Sequence, residues 1–177
     1  MIASEIAYLA LGSNLGDPVR QLVSARAAIS ALAEVSVTHA SSLYQSQASG
    51  SDEPQPDYVN AVVAVRTTLS SHELWRATSR IEAAHGRVRS GAQNAARTLD
   101  IDLLIFGNAT IGTPDLTVPH PRMHHRDFVL RPLAEIAPDV SIPGHGRASD
   151  CLQRLAAPKL AQAQKLPPTS AWTSVWT

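Results

Sequence analysis

RTLDIDLLIFG, residues 97–107, sets two aspartates one residue apart inside an otherwise apolar run. The length, the β-branched and apolar content and the following Gly-Asn turn read as a buried strand. Side chains of a strand alternate between its faces, so Leu99, Ile101, Leu103 and Ile105 are expected on one side, with Thr98, Asp100, Asp102, Leu104 and Phe106 on the other. The two carboxylates then share a face. Like charges this close repel, and burial raises the cost, so a positive partner is required beside them.

Outward from this strand, the chain alternates between the two periodicities. IAYLAL (6–11) is a buried first strand, and GSNLGDP (12–18) is a turn that ends in a helix start, with Asp17 as N-cap and Pro18 in the first helical position. Leu22, Ala25, Ile29 and Leu32 form the apolar stripe of a helix that runs to about Leu32. VSVTHASSLY (35–44) and the valine-rich YVNAVVAVRTTL (58–69) are the next two strands, separated by the polar loop QSQASGSDEPQPD (45–57). A loop of that length in a compact domain often carries function. SSHE (70–73) is a capping box for a second helix, with Leu74, Ala77, Thr78 and Ile81 inward, Glu82 near its end and Gly86 as its stop. After the quoted strand come a short strand near Thr110, an irregular stretch to about Asp127, a helix over 127–136 and a short helix near 150–155. Strand, helix, strand, strand, helix, strand is the order of an α+β, ferredoxin-like antiparallel sheet with helices packed on its faces, here with a short additional hairpin. Residues 1–160 are expected to form one domain and 161–177 a C-terminal tail, loosely packed except where Trp172 and Trp176 dock it.

The composition narrows the function classes. With 177 residues, 44% of them hydrophobic, the chain can bury one substantial core. A formal net charge of zero gives no global attraction to nucleic acid or an anionic membrane. No apolar run nears the roughly 20 residues of a membrane span. The single cysteine, Cys151, has no internal disulfide partner, and the first residues lack a basic leader, so a cytosolic, reducing setting is expected; the protein is further expected to act as a monomer. Only two lysines occur, Lys159 and Lys165, both late. Phosphate chemistry must therefore use arginine or backbone N–H groups, and a lysine-bearing phosphate loop is absent.

Arg87, Arg89 and Arg97 immediately precede Asp100 and Asp102. Paired carboxylates that hold magnesium, next to guanidinium groups that grip phosphate oxygens, suit a metal-bound polyphosphate. Surface ion pairs between the same residues are the plainer alternative. In TVPHPRMHHR (117–126), His120, Arg122, His124, His125 and Arg126 form a second basic cluster suited to phosphate. A zinc site on His120 and His124 fits less well, because Pro121 opposes a helix there and an aspartate pair prefers a hard ion. Tyr58 and Asn60 share a face of the third strand and Phe128 opens a late helix, which together could hold a flat heterocycle.

These motifs occur in an order that resembles the 6-hydroxymethyl-7,8-dihydropterin pyrophosphokinases of folate biosynthesis: GSNLGD, PDYVNAV, RIE followed by GRVR, RTLDIDLLIFGN, and VPHPRMHHRDFVLRPLAEIAP. The likeness runs from about Ile6 to Asp139. It implies transfer of pyrophosphate from ATP to a dihydropterin hydroxymethyl group, giving AMP, with two Mg2+ ions. By resemblance, Asp100 and Asp102 bridge the metals, Arg87 and Arg97 act in catalysis, and Glu82, Arg87, Arg89, Arg97, His120 and Arg126 hold the nucleotide and its phosphates. Ser46, Tyr58, Asn60, Asn94 and Phe128 would form the acceptor pocket, with Phe128 stacking on the pterin. The chain departs from the family pattern at Asn94, where a tryptophan is usual, at Ala95 and Ala96 in place of Gly-Pro, at Ser79, and in SQASG (46–50), which lacks the usual prolines. A relative that pyrophosphorylates another hydroxymethyl acceptor, and a catalytically weak module that binds nucleotide or pterin, are the two further readings these departures leave.

Overall fold

The computed structural model describes residues 3–48, 53–86, 96–155 and 163–174. In chain order it contains β1 (Glu5–Ser13), α1 (Pro18–Ser30), β2 (Val35–Ala40), β3 (Tyr44–Ser46), β4 (Tyr58–Thr67), α2 (Ser71–Ala84) and β5 (Asp100–Phe106). The hairpin β6 (Ile111–Gly112) and β7 (Thr117–Val118), a 3-10 turn (Met123–His125) and α3 (Asp127–Ile136) follow. The hairpin β8 (Ser141–Ile142) and β9 (Gly146–Arg147), α4 (Ala148–Leu155), β10 (Gln164–Lys165) and α5 (Ser170–Thr173) complete the described chain.

The helix starts are those expected from the sequence. The Asp17 carboxylate accepts from Arg20 N at 3.1 Å with Pro18 behind it, and Ser70 and Glu73 form a reciprocal capping box. Sheet order is β10-β3-β4-β1-β5, antiparallel throughout, with β2 pairing farther along the edge of β4 that β3 also uses. This is the ferredoxin-like arrangement. α1 and α2 cover one face, where Leu9, Leu11, Leu22, Ile29, Val63, Leu74, Leu99 and Ile101 interlock. α3 and α4 cover part of the other, through Val62, Leu104, Ile105, Met123, Leu130, Leu133 and Ile142. Among the described residues no helix is long and apolar enough to cross a membrane.

Two strands differ from their sequence reading, each for a local reason. The expected strand over 35–44 is two, because the Ser41 carbonyl leaves the ladder: Ser41 N still donates to Val62 O at 2.9 Å, but Val62 N donates at 2.9 Å to the Ser41 hydroxyl, which itself donates to Ser42 O at 2.7 Å. In β5 a bulge at Leu104 breaks the alternation, since Leu103 pairs with Leu9 while Ile105 pairs with Tyr8. Ile105 therefore lies with Leu104 in the α3-side core and Phe106 turns to the α1–α2 side, the reverse of simple alternation. Asp100 and Asp102, upstream of the bulge, keep their shared face.

Of the described residues after Pro167, most are exposed and Trp172 docks the segment. Trp172 is 4% exposed, and its indole N–H donates to Ser41 O at 2.7 Å. The Arg26 guanidinium lies 4.2 Å from the centre of its ring, a cation–π contact. Trp176 lies outside the described residues.

Candidate active site

The sheet face bearing α3 is left open at one end, and a cleft of about 680 Å3 sits there. Its floor follows from strand register. Gly12 of β1 pairs with Asn60 on one side and Asp100 on the other, so these three form one row. The next row is Val62, Ala10 and Asp102. The central strand therefore supplies the two smallest side chains between an amide and two carboxylates. A Cβ on Gly12 would lie 3.5 Å from Asn60 Oδ1 and 3.9 Å from Tyr58 Cδ1, filling the space between them. Neither Gly12 nor Ala10 stands out as a motif in the sequence; the signal that could have found them is the alternate small residues of AYLALGS.

On the β4 side, the Asn60 amide is 6% exposed and fixed. Its Nδ2 donates to Ser46 Oγ at 2.8 Å and to Tyr44 O at 3.3 Å, which leaves Oδ1 toward the floor between Asn60 and Gly12. Ser46, Tyr58 and Phe128 line the same cleft. Burial raises the Tyr58 phenol above its usual range, so it stays protonated and can donate.

On the β5 side, Arg97 Nη1 pairs with Asp100 Oδ2 at 3.1 Å. Burial, with the Asp100 carboxylate next in importance, pushes Asp102 up to about 7, although Arg126 and Arg97 pull it down. His120 Nε2 lies 3.6 Å from Asp102 Oδ2. Burial and the neighbouring Arg126 and Arg122 charges lower His120 to about 4, so its ring is neutral. Nδ1 accepts from Arg122 N at 3.2 Å, which assigns the proton to Nε2 and makes that atom a donor into the cleft. Arg126 and Arg122 line the cleft with it.

Glu82 is placed elsewhere. It is buried on α2, and its Oε1 accepts from Ile101 N at 2.6 Å, holding the backbone between the two aspartates rather than lining the cleft. Arg87, Arg89 and Asn94 lie outside the described residues. Asn14, which the sequence reading did not single out, joins the cleft's two borders. Its Nδ2 donates to Gln55 Oε1 and Pro56 O, both at 3.1 Å, and its Oδ1 accepts from Arg97 N at 2.9 Å. Its place in GSNLGD, just past a strand, is the signal that could have found it.

The donor set fits a hard cation shared with a phosphate ligand. Among the described residues no group of three or more His, Cys, Asp or Glu is placed to hold a metal alone. Two carboxylates on one face, one carrying the cost of the other's charge, suit magnesium, which takes one or two protein oxygens and completes its shell with water and phosphate.

Fold and cleft define a ferredoxin-like α+β protein in which a buried amide faces a wall of carboxylates, arginines and a histidine across a floor of small residues. Residues 8–138 match the family described as 7,8-dihydro-6-hydroxymethylpterin-pyrophosphokinase. A 2-amino-4-hydroxy-6-hydroxymethyldihydropteridine pyrophosphokinase of Haemophilus influenzae is 44% identical over 154 residues, 87% of this chain and 95% of that one. One of Bacillus subtilis is 43% identical over 137 residues, 77% of this chain and 81% of that one. Among solved structures, Plasmodium falciparum HPPK-DHPS with pteroate superposes with a TM-score of 0.67 at 13% identity, over 86% of this chain and 42% of that one. This chain thus spans less than half of that longer protein. The chain belongs to the 7,8-dihydro-6-hydroxymethylpterin-pyrophosphokinase family.

Proposed function

We propose that this cleft carries out the family's reaction, with the β4 side holding the acceptor and the β5 side the nucleotide. The chain is an ATP-dependent pyrophosphokinase of folate biosynthesis: the hydroxymethyl oxygen of 6-hydroxymethyl-7,8-dihydropterin attacks the β-phosphorus of ATP, the bond from that phosphorus to the α–β bridging oxygen breaks, and AMP leaves. The observation that supports this assignment of sides is the row Asn60, Gly12, Asp100, which sets an acceptor-recognising amide opposite a metal-type carboxylate on one floor.

Asn60 Oδ1 accepts from the pterin's N–H edge, Ser46 holds that amide in place, and the Phe128 ring covers the heterocycle. Asp100 and Asp102 would hold the two magnesium ions, which would offset the charge of the polyphosphate and of these carboxylates. Arg97 and Arg126, with Arg87 and Arg89, grip phosphate oxygens, and neutral His120 donates through Nε2. Such transfer depends chiefly on alignment and charge stabilisation, which this set of residues supplies. The protein works as a cytosolic monomer in this reading.

The test is AMP release in the presence of ATP, Mg2+ and the dihydropterin, for the native chain and for Asp100→Ala and Asp102→Ala. Both variants should keep their circular dichroism spectrum and lose at least about a thousandfold in turnover. Near-native turnover by either would remove the carboxylate pair from the mechanism.

A further inference from the structure

The described C-terminal residues, 163–174, run antiparallel along residues 41–45. Trp172 Nε1 donates to Ser41 O at 2.7 Å, Leu166 N donates to Leu43 O at 2.8 Å, Lys165 pairs with Tyr44, and Gln164 pairs with Gln45. At the cleft end of this run Ala163 N donates to Asp127 Oδ2 at 2.8 Å. Gln45 immediately precedes Ser46, and Asp127 immediately precedes Phe128. The segment therefore fastens the residue ahead of each of two cleft side chains, one on the sheet and one on α3.

The chemistry of these fastenings is suited to setting a distance. β3 is only three residues long, and β10 covers its outer edge, so its place depends on that pairing. Ser46 and Tyr44 O of β3 in turn hold the Asn60 amide. Asp127 is 8% exposed and its Oδ2 takes both Ala163 N and Arg131 Nε, the latter at 3.1 Å. A buried carboxylate that accepts two N–H groups is firmly held, so α3 begins at a fixed position relative to β3. A second bridge, from Tyr44 Oη to Glu135 Oε2 at 2.5 Å, joins β3 to the far end of α3.

We propose that residues 163–174 are a positioning strap that sets the width of the acceptor side of the cleft, between Ser46 and Asn60 on the sheet and Phe128 on α3, with Asp127 as its key positioning residue. The inference rests on the assignment of that side to the dihydropterin. It adds a structural part, outside the 8–138 family match, to the determinants of acceptor affinity. Removing the strap's hold loosens acceptor binding and leaves the nucleotide wall on β5 untouched.

Asp127→Ala removes the acceptor oxygen for Ala163 N, whereas Asp127→Asn retains one. Arg131→Met removes the ion pair and keeps the Ala163 bond. Steady-state KM for each substrate is measured for all three, together with equilibrium binding of the fluorescent oxidised pterin, 6-hydroxymethylpterin, which needs no turnover. Asp127→Ala should raise KM for the dihydropterin and Kd for the oxidised pterin about five- to twentyfold, with kcat and KM for ATP within twofold of native. Asp127→Asn and Arg131→Met should stay within about threefold. If Asp127→Ala lacks a native spectrum, Trp172→Phe, which keeps an aromatic ring beside Arg26 but removes the indole N–H to Ser41 together with part of the ring area, should show a smaller change in the same direction. Equal rises in both KM values, no change in pterin binding, or an Asp127→Asn defect as large as that of Asp127→Ala would each overturn the strap. A native chain that binds the pterin but forms no AMP would overturn the proposed reaction while leaving the strap to be judged by pterin Kd.

Discussion

Asp102→Asn should make the ligand-free protein more stable while removing its transfer activity. Moving a carboxyl from its ordinary 3.8 to about 7 corresponds to roughly 4 kcal/mol at 1.36 kcal/mol per pH unit. The side chain is 32% exposed, so solvent screens much of that, and about 1–2 kcal/mol is the expected cost of the ionised form. The folded-state value lies above the unfolded one. The folded protein therefore holds this proton more tightly, and the cost is small near pH 3, grows as pH rises through the unfolded value and is full above the folded one. Asparagine is neutral throughout. The variant's advantage over native should thus be smallest at pH 3.5 and reach a plateau of about 3–6 °C in Tm by pH 8, using the scaling for a chain of this size. Differential scanning calorimetry with EDTA across pH 3.5–8.5 measures it. Saturating MgATP should raise the native Tm at pH 8 and move the variant's less, because a ligand stabilises only the form it binds. A Tm difference that is flat with pH, or a variant less stable than native at pH 8, would refute the electrostatic account of the aspartate pair.

Three further outcomes follow from the geometry. Gly12→Ala puts its Cβ in ordinary contact with Asn60 and Tyr58 and should melt within about 2 °C of native, yet raise KM for the dihydropterin about tenfold; an unchanged KM would mean that the floor is not an acceptor surface. Arg97→Met should raise KM for ATP and lower kcat while pterin Kd stays native, and a pterin-only defect in the same titrations would reverse the assignment of the two walls. Ser70→Ala deletes one half of the capping box and should lower Tm by about 2–4 °C, from roughly 1 kcal/mol, with no effect on either KM; urea melts and steady-state kinetics check both parts.

Local chemistry made much of this molecule legible in its sequence. Asp17-Pro18 and the Ser70–Glu73 box mark helix starts because their partners lie within three residues, and α3 begins at Asp127 as expected. The shared face of Asp100 and Asp102 needs only strand periodicity. Features set by distant partners were harder to read. The Leu104 bulge reverses Ile105 and Phe106 through the register of β5 against β1, which no period within β5 records. The break at Ser41 comes from a hydroxyl that meets Val62 N across the sheet. Trp172 docks on a carbonyl 131 positions away, so its apolar bulk was visible and its seat was not. In the cleft, the polar side chains stood out by type, whereas Gly12 and Ala10 act by being small, a role visible only once both neighbouring strands are in place.

The proposed reaction requires one floor to bring a dihydropterin hydroxyl and the β-phosphorus of ATP together. Phosphorus-31 NMR of the purified protein mixed with ATP, Mg2+ and 6-hydroxymethyl-7,8-dihydropterin tests it most directly. AMP and a pterin diphosphate ester should appear in equal amounts, with neither formed when the pterin is omitted. Release of ADP with a monophosphate ester, or AMP at the same rate without the pterin, would contradict it.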